Sequence, residues 1–380
     1  DNYVKNTLCK YYPNFDEMPI GIIVDFLNAH LFPTVVWPTK FATSRNSFAE
    51  PAGFDPATDI FDRRILSNGI VYGTNKVSEA DVFSTVFSEA YLNPRYTFMT
   101  RLFNTIGLRL LIAKSNVPVN IMLIPDQAFL DAGFTYNVNQ SQFLFNGSTN
   151  GVPDRLERII RSCVFFGAYK NMSDNLSGTG IVKTGDADGE GDYIKYNNFN
   201  IVTAGLEDSS QVAHVDSVKT ASNGKVYFVN RLLRYSENGI GFHLNKLGTA
   251  SGSPFNYFWQ LLSGNTQAYT ATTMQIIGLT GFSTIFVPTN AAIQQAVDDG
   301  LLPKNNTTGG PNFNPTAPAD IDKVRKFLQY HFLASHTAVP DDVIFPGSFE
   351  TALKNDLGTA LRLQINNSAN ALSIVDAFGR

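Results

Sequence analysis

Ser67-Asn68-Gly69-Ile70-Val71-Tyr72-Gly73-Thr74 and Ser222-Asn223-Gly224-Lys225-Val226-Tyr227-Phe228-Val229 are two copies of one phrase in a chain of 380 residues. Each opens on Ser-Asn-Gly and runs into alternating β-branched and aromatic residues. The alternation predicts a half-buried strand, and Asn-Gly predicts a tight turn entered through left-handed backbone. A phrase that returns in this way signals an internal repeat, whose other parts should return in the same order.

Two further segments do so. One is an apolar run stopped by proline: Asn120-Ile-Met-Leu-Ile-Pro-Asp-Gln-Ala-Phe129 and Ser283-Thr-Ile-Phe-Val-Pro-Thr-Asn-Ala-Ala292. Proline ends the ladder, and the short polar residue after it is placed to cap a helix. The other is an amphipathic helix entering an aromatic stretch. Leu156, Ile159, Ile160, Cys163 and Val164 stand at helical spacing, as do Ile321, Val324, Phe327, Leu328 and Phe332, with Asp320 as the expected cap. Ile23, Leu27 and Leu31 form the apolar face of an earlier copy. Residues 1–79 hold the helix and the closing strand, residues 80–234 hold all three segments, and residues 235–380 hold the first two. The expectation is an α+β chain with one complete module between two incomplete ones, their missing parts disordered, cleaved or unbuilt. The Ser/Gly/Asp-rich stretch 171–192 and the Asn/Thr/Pro/Gly-rich stretch 303–319 are loops within modules.

The three segments, in that order, resemble the fasciclin (FAS1) family. Phe286-Val-Pro-Thr-Asn290 resembles its first box, Leu328-Gln-Tyr-His331 its Tyr-His box and Asn223-Gly-Lys-Val-Tyr-Phe-Val229 its closing strand. The middle copy has Cys163-Val164 in place of Tyr-His, and the first has Ala29-His30. The resemblance implies tandem wedge-shaped β-sandwich modules with packed helices. In some animal members the Tyr-His region takes part in adhesion, which makes Tyr330 and His331 candidate binding residues. Loop lengths and an Asn/Phe-rich composition resemble fasciclin lipoproteins of Bacteroidota. That implies the extracellular face of a bacterial outer membrane, a lipid anchor outside this chain, and a SusC/SusD-type nutrient transporter as partner. The rival expectation is an adhesion protein that binds matrix, glycan or another cell.

Composition narrows the rest. With a net charge of -4 and no basic block, the chain has no field for a phosphate backbone, so nucleic acid is not an expected partner. No run approaches the ~20 apolar residues of a membrane span. Asp1 follows no leader and no Met, so the chain is expected to start within a longer precursor. Cys9 and Cys163 are too few for a disulfide framework. Nucleophile-elbow, zinc-protease, phosphate-loop and dinucleotide motifs are missing, and the expectation is no catalysis. Asp186, Asp188, Glu190 and Asp192 alternate with Ala and Gly, a pattern that could wrap oxygens around calcium, although Asn197 replaces the bidentate Glu of the usual loop. His331 and His336 are five apart, wrong for a ligand pair on a helix. Trp37, between Pro33 and Pro38, is the best candidate for an exposed aromatic contact; Phe255, Tyr257, Phe258 and Trp259 read as core.

Overall fold

The strand Val119–Leu123 is buried at every position, as a run of Val, Ile, Met and Leu requires when both faces of a strand are covered. In the computed structural model, which describes residues 2–166, 175–185, 192–279, 283–333, 347–368, 371–376 and 379, this strand lies second from one end of a seven-stranded sheet. It pairs antiparallel with Val164–Phe166 and parallel with Gly224–Val229. The sheet continues antiparallel through Ala213–Ala221, Asn200–Val202, Tyr193–Asn197 and Thr179–Lys183. Just past that last strand, Gly185 N–H donates to the Val164 carbonyl at 2.7 Å, and Phe165 bridges Gly185. The two ends of the sheet therefore meet.

The junction of Asn223 and Gly224 fixes where the closing strand enters. Buried Asn223 donates from Nδ2 to the carbonyls of Ile112, Lys114 and Val117, at 3.0, 3.1 and 3.1 Å. Its Oδ1 accepts from Val86 N–H at 2.8 Å, at the start of helix Val86–Tyr91. A Cβ on Gly224 would lie 1.6 Å from the Val119 carbonyl oxygen, so only glycine fits. The expected left-handed turn is corrected: neither Asn223 nor Gly224, nor Asn68 or Gly69, has positive φ. Close approach, not turn geometry, demands Gly224.

The chain divides into two compact units, Asp1–Tyr235 and Ser236–Arg380. Residues 1–79 and 80–234, which the sequence assigns to separate modules, lie in the same unit. Leu8, Met18, Ile22 and Ala29 join the core of Val86, Phe103, Ile121 and Phe165. A polar seam reinforces the contact: Asp25 accepts from both Tyr91 Oη and Arg109 Nη2 at 2.6 Å. The expected face of the first helix is also corrected. In helix Ile20–Ala29 the buried residues are Ile22 and Ala29, whereas Leu27 and Leu31 are exposed. Apolar residues run almost all the way round this helix, so spacing alone does not choose its inner face. Its closing hairpin, Ile60–Leu66 with Gly69–Thr74, forms a sheet of its own.

In the second unit, helix Asn256–Ser263 buries Phe258 and Trp259 and anchors a core shared with Val324 and Leu328 of helix Pro318–Tyr330. Thr289 caps helix Asn290–Asp298 as expected, through Ala292 N–H. Asp320 is no cap, because Pro318 opens the helix and Asp320 stands in its first turn. Asp126 likewise leaves its own helix Asp126–Asp131 uncapped; its Oδ1 accepts from Phe98 N–H at 2.8 Å, in the first turn of helix Thr97–Thr105. Thr284–Ile285 pairs antiparallel with Phe332–Leu333. A three-stranded antiparallel sheet, Gly347–Lys354, Ala360–Ser368 and Ala371–Val375, follows.

Asn223→Ala leaves several buried partners unpaired, and should destabilise the first unit by about 3 kcal/mol in urea denaturation. The same change at Asn68, which is exposed, should stay within about 0.5 kcal/mol.

Candidate functional site

Three helices end in one arrangement. After helix Ile20–Ala29, His30 Nδ1 bonds the Phe26 carbonyl at 2.9 Å. After helix Val152–Arg161, Cys163 Sγ donates to the Ile159 carbonyl at 3.2 Å. After helix Pro318–Tyr330, His331 Nδ1 bonds the Phe327 carbonyl at 2.7 Å. Each side chain reaches back four residues to a carbonyl that the helix end leaves without an amide. His30, Cys163 and His331 thus make the same bond back into the ends of their helices, so the pair that matches Tyr330-His331 in the middle copy is Ser162-Cys163, one residue before the expected Cys163-Val164.

All three side chains are engaged within the fold. His331 packs on Phe327 and Phe258, with ring centroids 4.4 and 6.1 Å away, and burial pushes its imidazole pKa down despite the bond to Phe327. Tyr330 is half-buried and packs against the cluster of Leu333, Leu363 and Ile365. Burial likewise pushes the Cys163 thiol up, out of the range of a reactive thiolate. His30 Nε2 accepts from Ser78 N–H at 3.2 Å, so its Nδ1 carries the proton given to Phe26.

Trp37 stands out from the protein, 56% exposed, before the single turn Pro38–Lys40. It is not alone. Ile20, Val24, Leu27 and Leu31 are exposed at spacings of four, three and four, and Val35 follows them. Ile20, Val24 and Leu27 share a face of helix Ile20–Ala29, so this face is apolar and turned outward, and Leu31 and Val35 are exposed in the segment beyond its end. Beside it, Leu31–Val36 and Gly69–Tyr72 wall a cleft of about 490 Å³, floored in part by Phe41 and Phe54. Sequence reasoning missed both features by assigning Leu27 and Leu31 to the core. The signal was present in the excess of apolar residues over what one buried face needs.

The acidic loop is only partly described. Asp186, Asp188 and Glu190 lie outside the described residues. Asp192 is buried, and its carboxylate accepts from Ser162 Oγ at 3.1 Å and lies 3.7 Å from Arg158 Nη2. Its backbone is held at both N–H and C=O by Thr184. Among the described residues no group of three His, Cys, Asp or Glu side chains could hold a metal ion. His214 Nδ1 meets Asn200 Oδ1 at 3.2 Å, and His336 lies outside the described residues. No helix is long and apolar enough to cross a membrane among the described residues.

No protein-family model matches the sequence, and no curated protein does. Among solved structures, a FAS1 domain pair from the insect cell adhesion molecule fasciclin I is similar to this chain at 13% identity and a TM-score of 0.26. The match covers 74% of this chain and 87% of that one. A superposition that loose carries no weight for function.

The lowered pKa of His331 gives a pH dependence with a definite sign. Below the usual imidazole value of about 6.5 the unfolded chain binds a proton that the folded chain resists, so acid favours unfolding. The contribution is fully present above that value and is lost as pH falls towards the folded pKa. The second unit should therefore lose stability as pH falls below about 7, and His331→Gln should flatten that slope in thermal melts taken from pH 7 downwards.

Proposed function

We propose that this chain is a non-enzymatic binding protein of the cell surface, built on fasciclin-type modules divided near residues 79 and 234, each a β-sandwich with packed helices. The observation that carries the proposal is the outward apolar face of Ile20, Val24 and Leu27 on helix Ile20–Ala29, followed along the chain by exposed Leu31, Val35 and Trp37. Contiguous exposed apolar surface on a folded protein marks a place where another molecule docks, and a large rigid aromatic is the commonest anchor of such contacts. The ordered segments that resemble fasciclin boxes support the module assignment, as does the helix end shared by His30, Cys163 and His331.

The occupant we favour is a protein: a SusC/SusD-type outer-membrane transporter, with this chain as an accessory lipoprotein on its extracellular side. The second reading is adhesion to matrix, glycan or another cell. An open groove in the second unit, lined by Tyr257, Gln294, Pro311 and Phe313, favours the glycan form of it. It offers rings for stacking and an amide for a hydroxyl. Within these readings Trp37 is the contact, His331 holds the end of its helix through the Phe327 carbonyl, and Tyr330 packs against Leu333, Leu363 and Ile365. Calcium is the cation that Asp186, Asp188 and Glu190 would take, with Asp192 at the loop's rim.

Purification from the source membrane in mild detergent, followed by mass spectrometry, should recover a SusC/SusD-type transporter in fixed ratio. Recovery of the chain alone would turn the search to glycans and host proteins. Trp37→Ala combined with Leu27→Lys should weaken partner retention roughly 10-fold, the effect of removing an aromatic anchor, while leaving the melting temperature in place.

A further inference from the structure

One corner of the fold is built twice, and only one of the two is covered. In the first unit Asp126 Oδ1 accepts from Phe98 N–H at 2.8 Å; in the second Asn290 Oδ1 accepts from Tyr257 N–H at 2.8 Å. Each acceptor opens a helix and holds the first turn of an earlier one. Tyr257 is therefore the counterpart of Phe98. The next ring agrees: Phe143 lies 5.5 Å from Phe98, and Phe313 lies 5.4 Å from Tyr257, at interplanar angles of 58° and 59°.

Beyond that ring the two corners part. Phe143 belongs to the hairpin Phe134–Asn137 with Gln142–Phe145, where the Tyr136 ring packs on it at 4.8 Å and the Arg101 guanidinium lies 3.9 Å over Tyr136. Phe313 instead follows a turn of Asn, Thr and Gly, and no further ring or cation packs on it or on Tyr257 among the described residues. There the surface opens into the groove of about 410 Å³ walled by Tyr257, Gln294, Pro311, Phe313 and residues 308–310. In the first unit the closing strand Gly224–Val229 pairs with Val119–Leu123 and Ala213–Ala221 and not with this corner, so the groove is not a strand's place in the sheet.

The walls are set before any ligand arrives. Asn305 Oδ1 accepts from Thr307 and Thr308 N–H at 2.9 and 3.1 Å, and Asn305 N–H donates to the Gly310 carbonyl at 2.8 Å. Gln294 Nε2 donates to the Gly309 carbonyl at 3.1 Å and to Asp298 at 3.2 Å. That fixes the amide and leaves its Oε1 without a partner among the described residues, as is Tyr257 Oη. The Thr308 side chain is exposed, and none of the lining residues carries a charge.

We propose that this groove binds one neutral sugar ring, a pyranose whose C–H face rests on Phe313 as Tyr136 rests on Phe143 in the first unit. The aromatic face takes the apolar side of the sugar. Gln294 Oε1 accepts from one hydroxyl, and Tyr257 Oη and the Thr308 hydroxyl can donate to or accept from others. An acidic sugar is disfavoured, because its carboxylate would shed water and meet no cation. Walls already ordered lower the entropic cost of binding. The proposal deepens the glycan form of the adhesion reading and rests on it.

The test titrates the full chain with the methyl glycosides of glucose, galactose and mannose, and with glucuronic acid, followed by saturation-transfer NMR. At least one neutral glycoside should bind saturably, with transfer strongest to its ring C–H protons. Gln294→Leu should weaken that binding about 10-fold by removing the acceptor, and Tyr257→Phe should weaken it less. Phe313→Ala should abolish it; if that variant fails to fold, the two half-buried positions carry the test. Preference for glucuronic acid would overturn the proposal. Binding that persists through Gln294→Leu and Tyr257→Phe would overturn this site and leave the adhesion reading standing. No saturable binding of any neutral glycoside would overturn the site and its glycan reading together.

Discussion

The first unit depends on a single amide side chain and the glycine behind it. Asn223 gathers the carbonyls of Ile112, Lys114 and Val117 and caps helix Val86–Tyr91. Gly224 then lets the Val119 carbonyl approach where no side chain could stand. The result is a lock among a helix start, a loop and two parallel strands, and it sets the register Val226 to Ile121 through Phe228 to Leu123. Parallel pairing needs a long crossover and offers no hairpin to set its register. A buried polar hub with every bond made is one way to supply it. Around that register the sheet runs on until Gly185 returns to Val164.

Repetition within the chain separates what the modules need from what each copy does with it. The side chain that reaches back to the helix carbonyl is histidine, cysteine and histidine in turn. One hydrogen-bond donor of modest size, able to pack among apolar neighbours, suffices. That tolerance argues for a packing role at Tyr330 and His331. It moves attention to features that differ between copies, chiefly the outward face of Ile20–Ala29 and the open cleft beside it.

Much of this architecture could be read from residue order. The proline-stopped runs are strands at Val119–Leu123 and Thr284–Ile285, the amphipathic spacing gives helices Val152–Arg161 and Pro318–Tyr330, and both Asn-Gly phrases open strands. What could not be read has physical reasons. Asn-Gly suggests a left-handed turn because that is its commonest use, yet here the pair serves a buried hub in one copy and an open hairpin in the other. Periodicity finds a helix but not its inner face when Ile20, Ile22, Ile23, Val24, Phe26 and Leu27 surround it. Asp126 and Asp320 look like caps from composition, although the backbone places one on a neighbouring helix and the other past the cap position. The acidic loop shows only its rim: Asp192 is turned inward to Ser162, which spacing of carboxylates could not foretell.

The difference between the two Asn-Gly strands of this chain can be measured without any ligand. Amide hydrogen exchange reports whether a strand's N–H groups are locked in a ladder or open to water. Val226 to Phe228, inside the sheet, should exchange orders of magnitude more slowly than Val71 to Gly73, whose strand has one partner. Equal protection of the two strands would contradict the account, because it would mean that the edge of Gly69–Thr74 is already covered.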